Sequence, residues 1–163
     1  MRRYPRLVAL LGPALVLALG CAPSPVDGEE IERQLLEADR AFLQASIDDG
    51  LDGWMSFFTA DAVRVNFEGG TAVGLDEIRE TDAPLFEPGG IRLRWEPAAA
   101  VVFAGGREGL TRGPYMLIRP VEDGEPEVLG RGQYLSLWRW EDGRFKVYLD
   151  TGAPDPPETR LLD

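Results

Sequence analysis

The stretch "QYLSLWRWEDGRFKVYLDTG", residues 133–152, sets two alternating aromatic runs on either side of an Asp-Gly pair. Asp142-Gly143 is a two-residue type I′ hairpin signal, because both central positions of that turn need a positive φ. Placing the pair at the turn fixes the register. Trp140 then faces Phe145, Trp138 faces Val147, Ser136 faces Leu149 and Leu135 faces Asp150. One face of the hairpin collects Tyr134, Ser136, Trp138, Trp140, Phe145, Val147 and Leu149, and the charged residues fall on the other. In this register Asp150 points away from the aromatic face, as a structural acid that ends the strand at "DTG" unless a bulge intervenes.

The rest of the chain supplies partners for that hairpin. Asp27 and Glu30 are spaced as a capping box, and Ile31, Leu35, Ala38, Phe42 and Ala45 follow at intervals of three and four, which predicts an amphipathic helix to about Asp49. Asp39 lies at the border of its apolar stripe and reads as a polar rim residue. A short second helix carries Trp54, Phe57 and Phe58 after the glycine break at Gly50 and Gly53. "ADAVRVNFEGG" alternates as a strand, with Val63, Val65 and Phe67 on one face and Arg64 and Asn66 on the other. A third helix over "LDEIRETDAPLFE" must kink or end near Pro84. From Ile91 the period is two: Leu93 and Trp95 oppose Arg92, Arg94 and Glu96, with Arg94 and Glu96 placed to form an exposed ion pair, until Pro97 forces an edge, bulge or break. "VEDGEPEVLG" reads as a loop, and the proline-rich acidic end as loosely held.

At the other end, Arg2, Arg3 and Arg6 precede an apolar run from Leu7 to Leu19 that is too short to cross a bilayer comfortably and has the layout of an export signal. "LALGC" resembles the bacterial lipobox, in which the cysteine becomes the lipid-modified first residue. Cys21 is the only cysteine, so no disulfide framework competes for it. The expected organisation is a lipoprotein signal peptide over 1–20, a lipidated Cys21 and tether over 21–28, one domain over 29–154 and a flexible tail over 155–163. Cleavage leaves about 140 residues, enough for a single core. By resemblance to enterobacterial lipoproteins, in which an aspartate after the cysteine favours inner-membrane retention, Ala22 implies the outer membrane, facing the periplasm.

With 17 basic against 28 acidic residues the chain carries a net charge of −11, which disfavours nucleic acid and anionic headgroups and leaves membrane attachment to the lipid. There is no histidine, which removes histidine-based triads and histidine-bearing metal sites. No glycine-rich phosphate loop is present, and no cofactor is expected. Any acid or base chemistry falls to carboxylates, tyrosines or arginines, with Asp39, Asp61 and Asp82 as the acids to place.

Together, "GLDGWMSFFTADAV", "LRWEP", "GLTRGPY" and "GQYLSLWRWEDGRFKVYLDTGAP" resemble the nuclear transport factor 2-like superfamily, also called SnoaL-like or ketosteroid-isomerase-like, in the branch termed domain of unknown function 4440. The resemblance implies an α+β cone: N-terminal helices packed on a strongly curved antiparallel sheet, an apolar cavity between them, and homodimerisation through the sheet. It does not imply one activity. Isomerases of the fold use a carboxylate base in an apolar pocket, and its epoxide hydrolases use acids bridged by an arginine. The expected function is an envelope lipoprotein whose domain binds a small apolar molecule, with Trp54, Phe58, Phe67, Trp95, Tyr115, Tyr134 and Trp138 as pocket residues and the Tyr115 and Tyr134 hydroxyls orienting the ligand. The alternatives are an isomerase-like or epoxide-hydrolase-like enzyme with a buried carboxylate, and a dimeric interaction module.

Overall fold

A computed structural model describes residues 27–66, 69–122 and 124–156. Cys21, Phe67, the signal, most of the tether and most of the tail lie outside the described residues. Helix α1 spans Gly28–Asp48; its N-cap is Asp27, whose carboxylate accepts from the Glu30 amide at 3.4 Å. Four of its residues, Leu35, Asp39, Phe42 and Ser46, are buried, so the stripe facing the sheet carries an acid in its middle. Helix α2 (Gly50–Ser56) follows at once, with Gly50 at φ 59°. A Cβ on Gly53 would stand 2.0 Å from the Ala45 carbonyl oxygen, so only glycine lets α2 lie this close to α1. Helix α3 (Leu75–Asp82) gives way to a 3₁₀ turn at Ala83–Phe86, where Pro84 removes the next helical donor.

Among the described residues seven strands make one curved sheet. They are β1 (Phe58–Val65), β2 (Thr71–Val73), β3 (Arg92–Trp95), β4 (Ala99–Val102), β5 (Glu108–Arg119), β6 (Glu127–Glu141) and β7 (Arg144–Pro154). Their order is β2-β1-β7-β6-β5-β3, with β4 also on β5. The pairings are antiparallel except β1 with β7, which is parallel, so the sheet is mixed. The break at Pro97 lets β3 and β4 both pair with β5, bridged by Glu96 N–H to Pro114 O (3.1 Å) and Ala98 N–H to Arg112 O (3.0 Å). β6 starts earlier than the sequence suggests. Glu127 and Val128 pair with Arg119 and Ile118, and an Arg119–Glu127 ion pair at 2.9 Å closes that end.

Helices and sheet meet in an aromatic core. Phe42 stacks on Trp54 with ring centroids 4.5 Å apart, and Phe57 and Trp95 lie 5.1 Å from the same ring. Leu35, Trp138 and Val147 are fully buried around them. Such ring pairs add about 0.5–1.5 kcal/mol each beyond the area they bury.

The hairpin turn forms as its sequence dictates, with Asp142 at φ 52° and Gly143 at φ 82°. The register holds from Glu141–Arg144 to Trp138–Val147 and then shifts. Leu137 pairs with Leu149, Ser136 with Asp150 and Leu135 with Thr151, which leaves Tyr148 as the extra residue of a bulge. One added residue exchanges the two faces of a strand. Asp150 is therefore turned into the buried face beside Ser136, against the outward orientation expected from the turn alone.

Candidate functional site

Among the described residues three aspartates and one arginine are buried between the helices and the inner face of the sheet: Asp39, Asp82, Asp150 and Arg64. Their placement follows from the elements just described. Asp39 sits mid-stripe on α1, Asp82 closes α3, Arg64 shares the inward face of β1 with Ala62, and the bulge delivers Asp150 from β7. Arg64, not the alternating valines Val63 and Val65, is the inward side chain; the valines are only half-buried.

Arg64 bridges two acids. Its Nε lies 2.6 Å from Asp82 Oδ2, its Nη1 donates to Asp150 Oδ2, and its guanidinium lies 5.1 Å from the Trp54 ring centroid. The Trp54 Nε1–H donates to Asp82 Oδ2 at 2.9 Å, and the Ser136 hydroxyl donates to Asp150 Oδ1 at 2.6 Å. Burial pushes the Asp150 carboxyl up to about 6, against the pull of Arg64 and Ser136. Desolvation works against the Arg64 charge, but Asp150 and Asp82 outweigh it and raise its proton affinity.

Asp39 anchors a second network. Its Oδ1 accepts from Trp95 Nε1–H and its Oδ2 from the Tyr134 hydroxyl, both at 2.7 Å, while Trp138 Nε1–H donates to Thr111 Oγ1 at 2.7 Å. Burial raises the Asp39 carboxyl above its ordinary range, and hydrogen bonds from Thr111, Tyr134 and Trp95 offset part of that. Asp39 is thus no rim residue. The Tyr134 hydroxyl is committed to it, and burial and the neighbouring Asp39 push the phenol upward. Two of these carboxyls, Asp39 and Asp150, are raised by burial, which favours their protonated form in a water-poor interior. Among the described residues no group of three or more acids, cysteines or histidines is placed to hold a metal ion.

The expected pocket residues divide into two groups. Trp54, Trp95, Tyr115 and Tyr134 line a narrow cleft of about 20 Å³ together with Phe42, Leu93, Arg64, Ser136, Asp150 and Thr151. That volume holds about one water molecule. Phe58 and Trp138 belong to the core cluster and do not border the cleft. Arg64 also borders a groove of about 350 Å³, lined further by Asn66, Thr81, Asp82, Pro84, Leu85, Ile91 and Leu117. Arg64 borders both spaces, so a polar group that reaches it meets two carboxylates and an apolar wall.

Asp61 stays outside, exposed and paired with Arg139 at 3.2 Å. Arg94 and Glu96 form no ion pair; Arg94 Nη1 donates to the Leu93 carbonyl at 2.9 Å. Arg64 and Asp150 are the site residues that periodicity misses, whereas it places Ser136 on the buried face without naming its partner. The one local sign is Ser136, a hydroxyl on an otherwise aromatic face, which needs a polar partner opposite it.

Helices lying in a curled sheet, with a cleft between them that ends on buried acids, define the α+β cone class. The chain has the nuclear transport factor 2-like, or cystatin-like, fold. It is similar to a ketosteroid isomerase-like protein from Erwinia carotovora atroseptica SCRI1043 (TM-score 0.64, 21% identity, 78% of this chain and 98% of that one). It is similar also to a nuclear transport factor 2-like protein with a cystatin-like fold from Novosphingobium aromaticivorans (0.63, 14%, 78% and 83%). A third similar structure is a cystatin-like-fold protein of unknown function from Nostoc punctiforme PCC 73102 (0.59, 17%, 76% and 90%). At these identities the likeness is one of fold. No family model and no curated protein matches the sequence.

Proposed function

We propose that the domain binds a small, largely apolar molecule whose one polar group is read by Arg64 and its two carboxylates. The observation that carries this reading is the position of Arg64, which borders both the aromatic cleft and the 350 Å³ groove of Pro84, Leu85, Ile91 and Leu117. The apolar body of the ligand lies in the groove. Its polar group replaces water at the Asp82–Arg64–Asp150 cluster, and Trp54, Trp95 and Tyr115 close the far wall. The probe is naphthalen-2-ol, an uncharged bicycle with one hydroxyl. Titrated into isotope-labelled protein, it should shift the amides of Leu117, Ser136 and Thr151 saturably; no shift at these positions at the solubility limit contradicts the reading.

The chain carrying this domain is, in the same proposal, an envelope lipoprotein held by Cys21, most simply in the outer membrane. Metabolic labelling with radioactive palmitate should mark the wild type and leave Cys21→Ser unlabelled.

A carboxylate-dependent enzyme is favoured by a separate observation. An acid whose pKa is raised to about 6 stands beside an arginine that also holds a second acid, so Asp150 can exchange a proton near neutral pH. The resemblance to epoxide hydrolases of this fold, with acids bridged by an arginine, bears on the same cluster. Turnover of styrene oxide to its diol by the wild type, lost in Asp150→Asn, would support it; binding without turnover leaves the binding reading alone.

A further inference from the structure

A separate recess lies along the free edge of β3, the last strand of the sheet path, between the α1–α2 junction and the Ala83–Phe86 turn. Its volume is about 140 Å³, and its walls are Ile47, Trp54, Leu85, Phe86 and Leu93. An apolar cavity of about 150 Å³ accommodates a benzene ring. The polar lining consists of Ser46 and two guanidiniums, Arg92 and Arg94, two residues apart on the same strand. No acid lines the recess, on a chain with 28 acidic residues.

The arginines of the chain divide in two: some meet acids, while others, such as Arg107 and Arg144, meet the backbone carbonyls of Trp140 and Ser56. Arg33, Arg64, Arg79, Arg119 and Arg139 each pair with a carboxylate. Arg92 and Arg94 do not, among the described residues. Arg92 Nη1 is held by the Glu87 and Gly90 carbonyls at 2.8 and 3.5 Å, and Arg94 Nη1 by the Leu93 carbonyl at 2.9 Å. These bonds fix where the two groups stand and leave most of the five donors on each guanidinium unused. Partial burial and the neighbouring Arg92 charge lower the proton affinity of Arg94, which is how a site short of negative charge behaves.

We propose that this recess is a second ligand site, which takes a small carboxylate carrying one ring-sized apolar group. The carboxylate is held by Arg92 and Arg94, whose planar guanidinium forks match carboxylate geometry. The ring rests on Trp54, Phe86 and Leu93. Trp54 and Leu93 also line the inner cleft, so they are the partition between the two sites. The inference does not depend on a ligand in that cleft.

The test titrates benzoate, benzyl alcohol and inorganic phosphate separately into isotope-labelled full-length protein. Benzoate should shift the amides of Ser46, Leu93 and Arg94 saturably and bind about tenfold or more tightly than benzyl alcohol, which has the ring without the charge, and than phosphate, which has the charge without the ring. Added salt should weaken benzoate and leave benzyl alcohol unchanged. In the Arg92→Gln, Arg94→Gln double variant, with its near-ultraviolet circular dichroism shown to match the wild type, benzoate affinity should fall about tenfold or more. Equal binding of benzoate and benzyl alcohol overturns the proposal on the wild type alone, without any variant. Shifts confined to Ser136 and Thr151 overturn it too, because they put the anion in the inner cleft. Full benzoate affinity in a folded double variant does the same.

Discussion

Ser136 stands opposite Asp150 across the β6–β7 pairing and donates its hydroxyl hydrogen to Asp150 Oδ1 at 2.6 Å. Because the bond stabilises the ionised carboxylate, Ser136→Ala should raise the Asp150 pKa further above about 6 and destabilise the protein at neutral pH by about 1–3 kcal/mol. Urea denaturation at pH 7 measures the second effect; an unchanged midpoint would mean the bond carries nothing.

The raised Asp150 pKa has a stability signature of definite sign. The ordinary value is 3.8 and the folded value about 6, so between them the native state holds more protons than the unfolded chain. Stability from this group is therefore fullest below about pH 4 and declines as pH rises through 6, by about 3 kcal/mol at most. Asp39, also raised by burial, acts in the same direction. Exposed acids titrate too, so the comparison that isolates Asp150 is wild type against Asp150→Asn across pH 4–7. The wild type should lose stability relative to the variant as pH rises, and a relative gain would contradict the buried placement.

Arg64 keeps two carboxylates tolerable in one apolar site. Arg64→Met removes their common partner and should cost about 3–5 kcal/mol at pH 7. The loss should shrink as the pH falls below 6 and Asp150 takes up its proton. Adding Asp82→Asn and Asp150→Asn to the same variant should recover much of it, read by denaturant midpoints.

Two glycines, Gly132 on β6 and Gly143 in the hairpin turn, should respond differently to alanine. At Gly132 a Cβ would lie 2.1 Å from the Ala153 carbonyl oxygen and 2.6 Å from Tyr115 Cε1, so the end of β7 must move. The expected loss is about 1–3 kcal/mol or more. Gly143 has open space around it but a φ of 82°, and its replacement should cost about 1–2 kcal/mol through backbone strain alone. Thermal unfolding of the two single variants separates these cases, and Gly132→Ala should also shift the Tyr115 resonances.

How much of this was legible in the sequence depends on the range of the interaction involved. Capping by Asp27, the Asp142-Gly143 turn and the shortening of α3 at Pro84 are settled within a few residues, and all three form as their local chemistry requires. Asp39 is different. Its burial is made tolerable by Trp95 and Tyr134, 56 and 95 residues away, and helical periodicity contains no information about either donor. Asp150 fails for a third reason. The turn fixes the register only as far as the first irregularity, and the extra residue at Tyr148 reverses the face of everything after it. Alternation on β1 separates Arg64 from Val63 and Val65 but does not say which face is inward; two acids from α3 and β7 make the arginine the better-satisfied interior residue.

The most direct test is a titration of the Asp150 side-chain carboxyl by carbon-13 NMR in the intact protein. Its midpoint should lie near pH 6, and the Ser136 and Arg64 resonances should move with the same midpoint. A midpoint at or below the ordinary 3.8, uncoupled from those two residues, would put Asp150 on the solvent side of the sheet and remove the acid pole from the cleft.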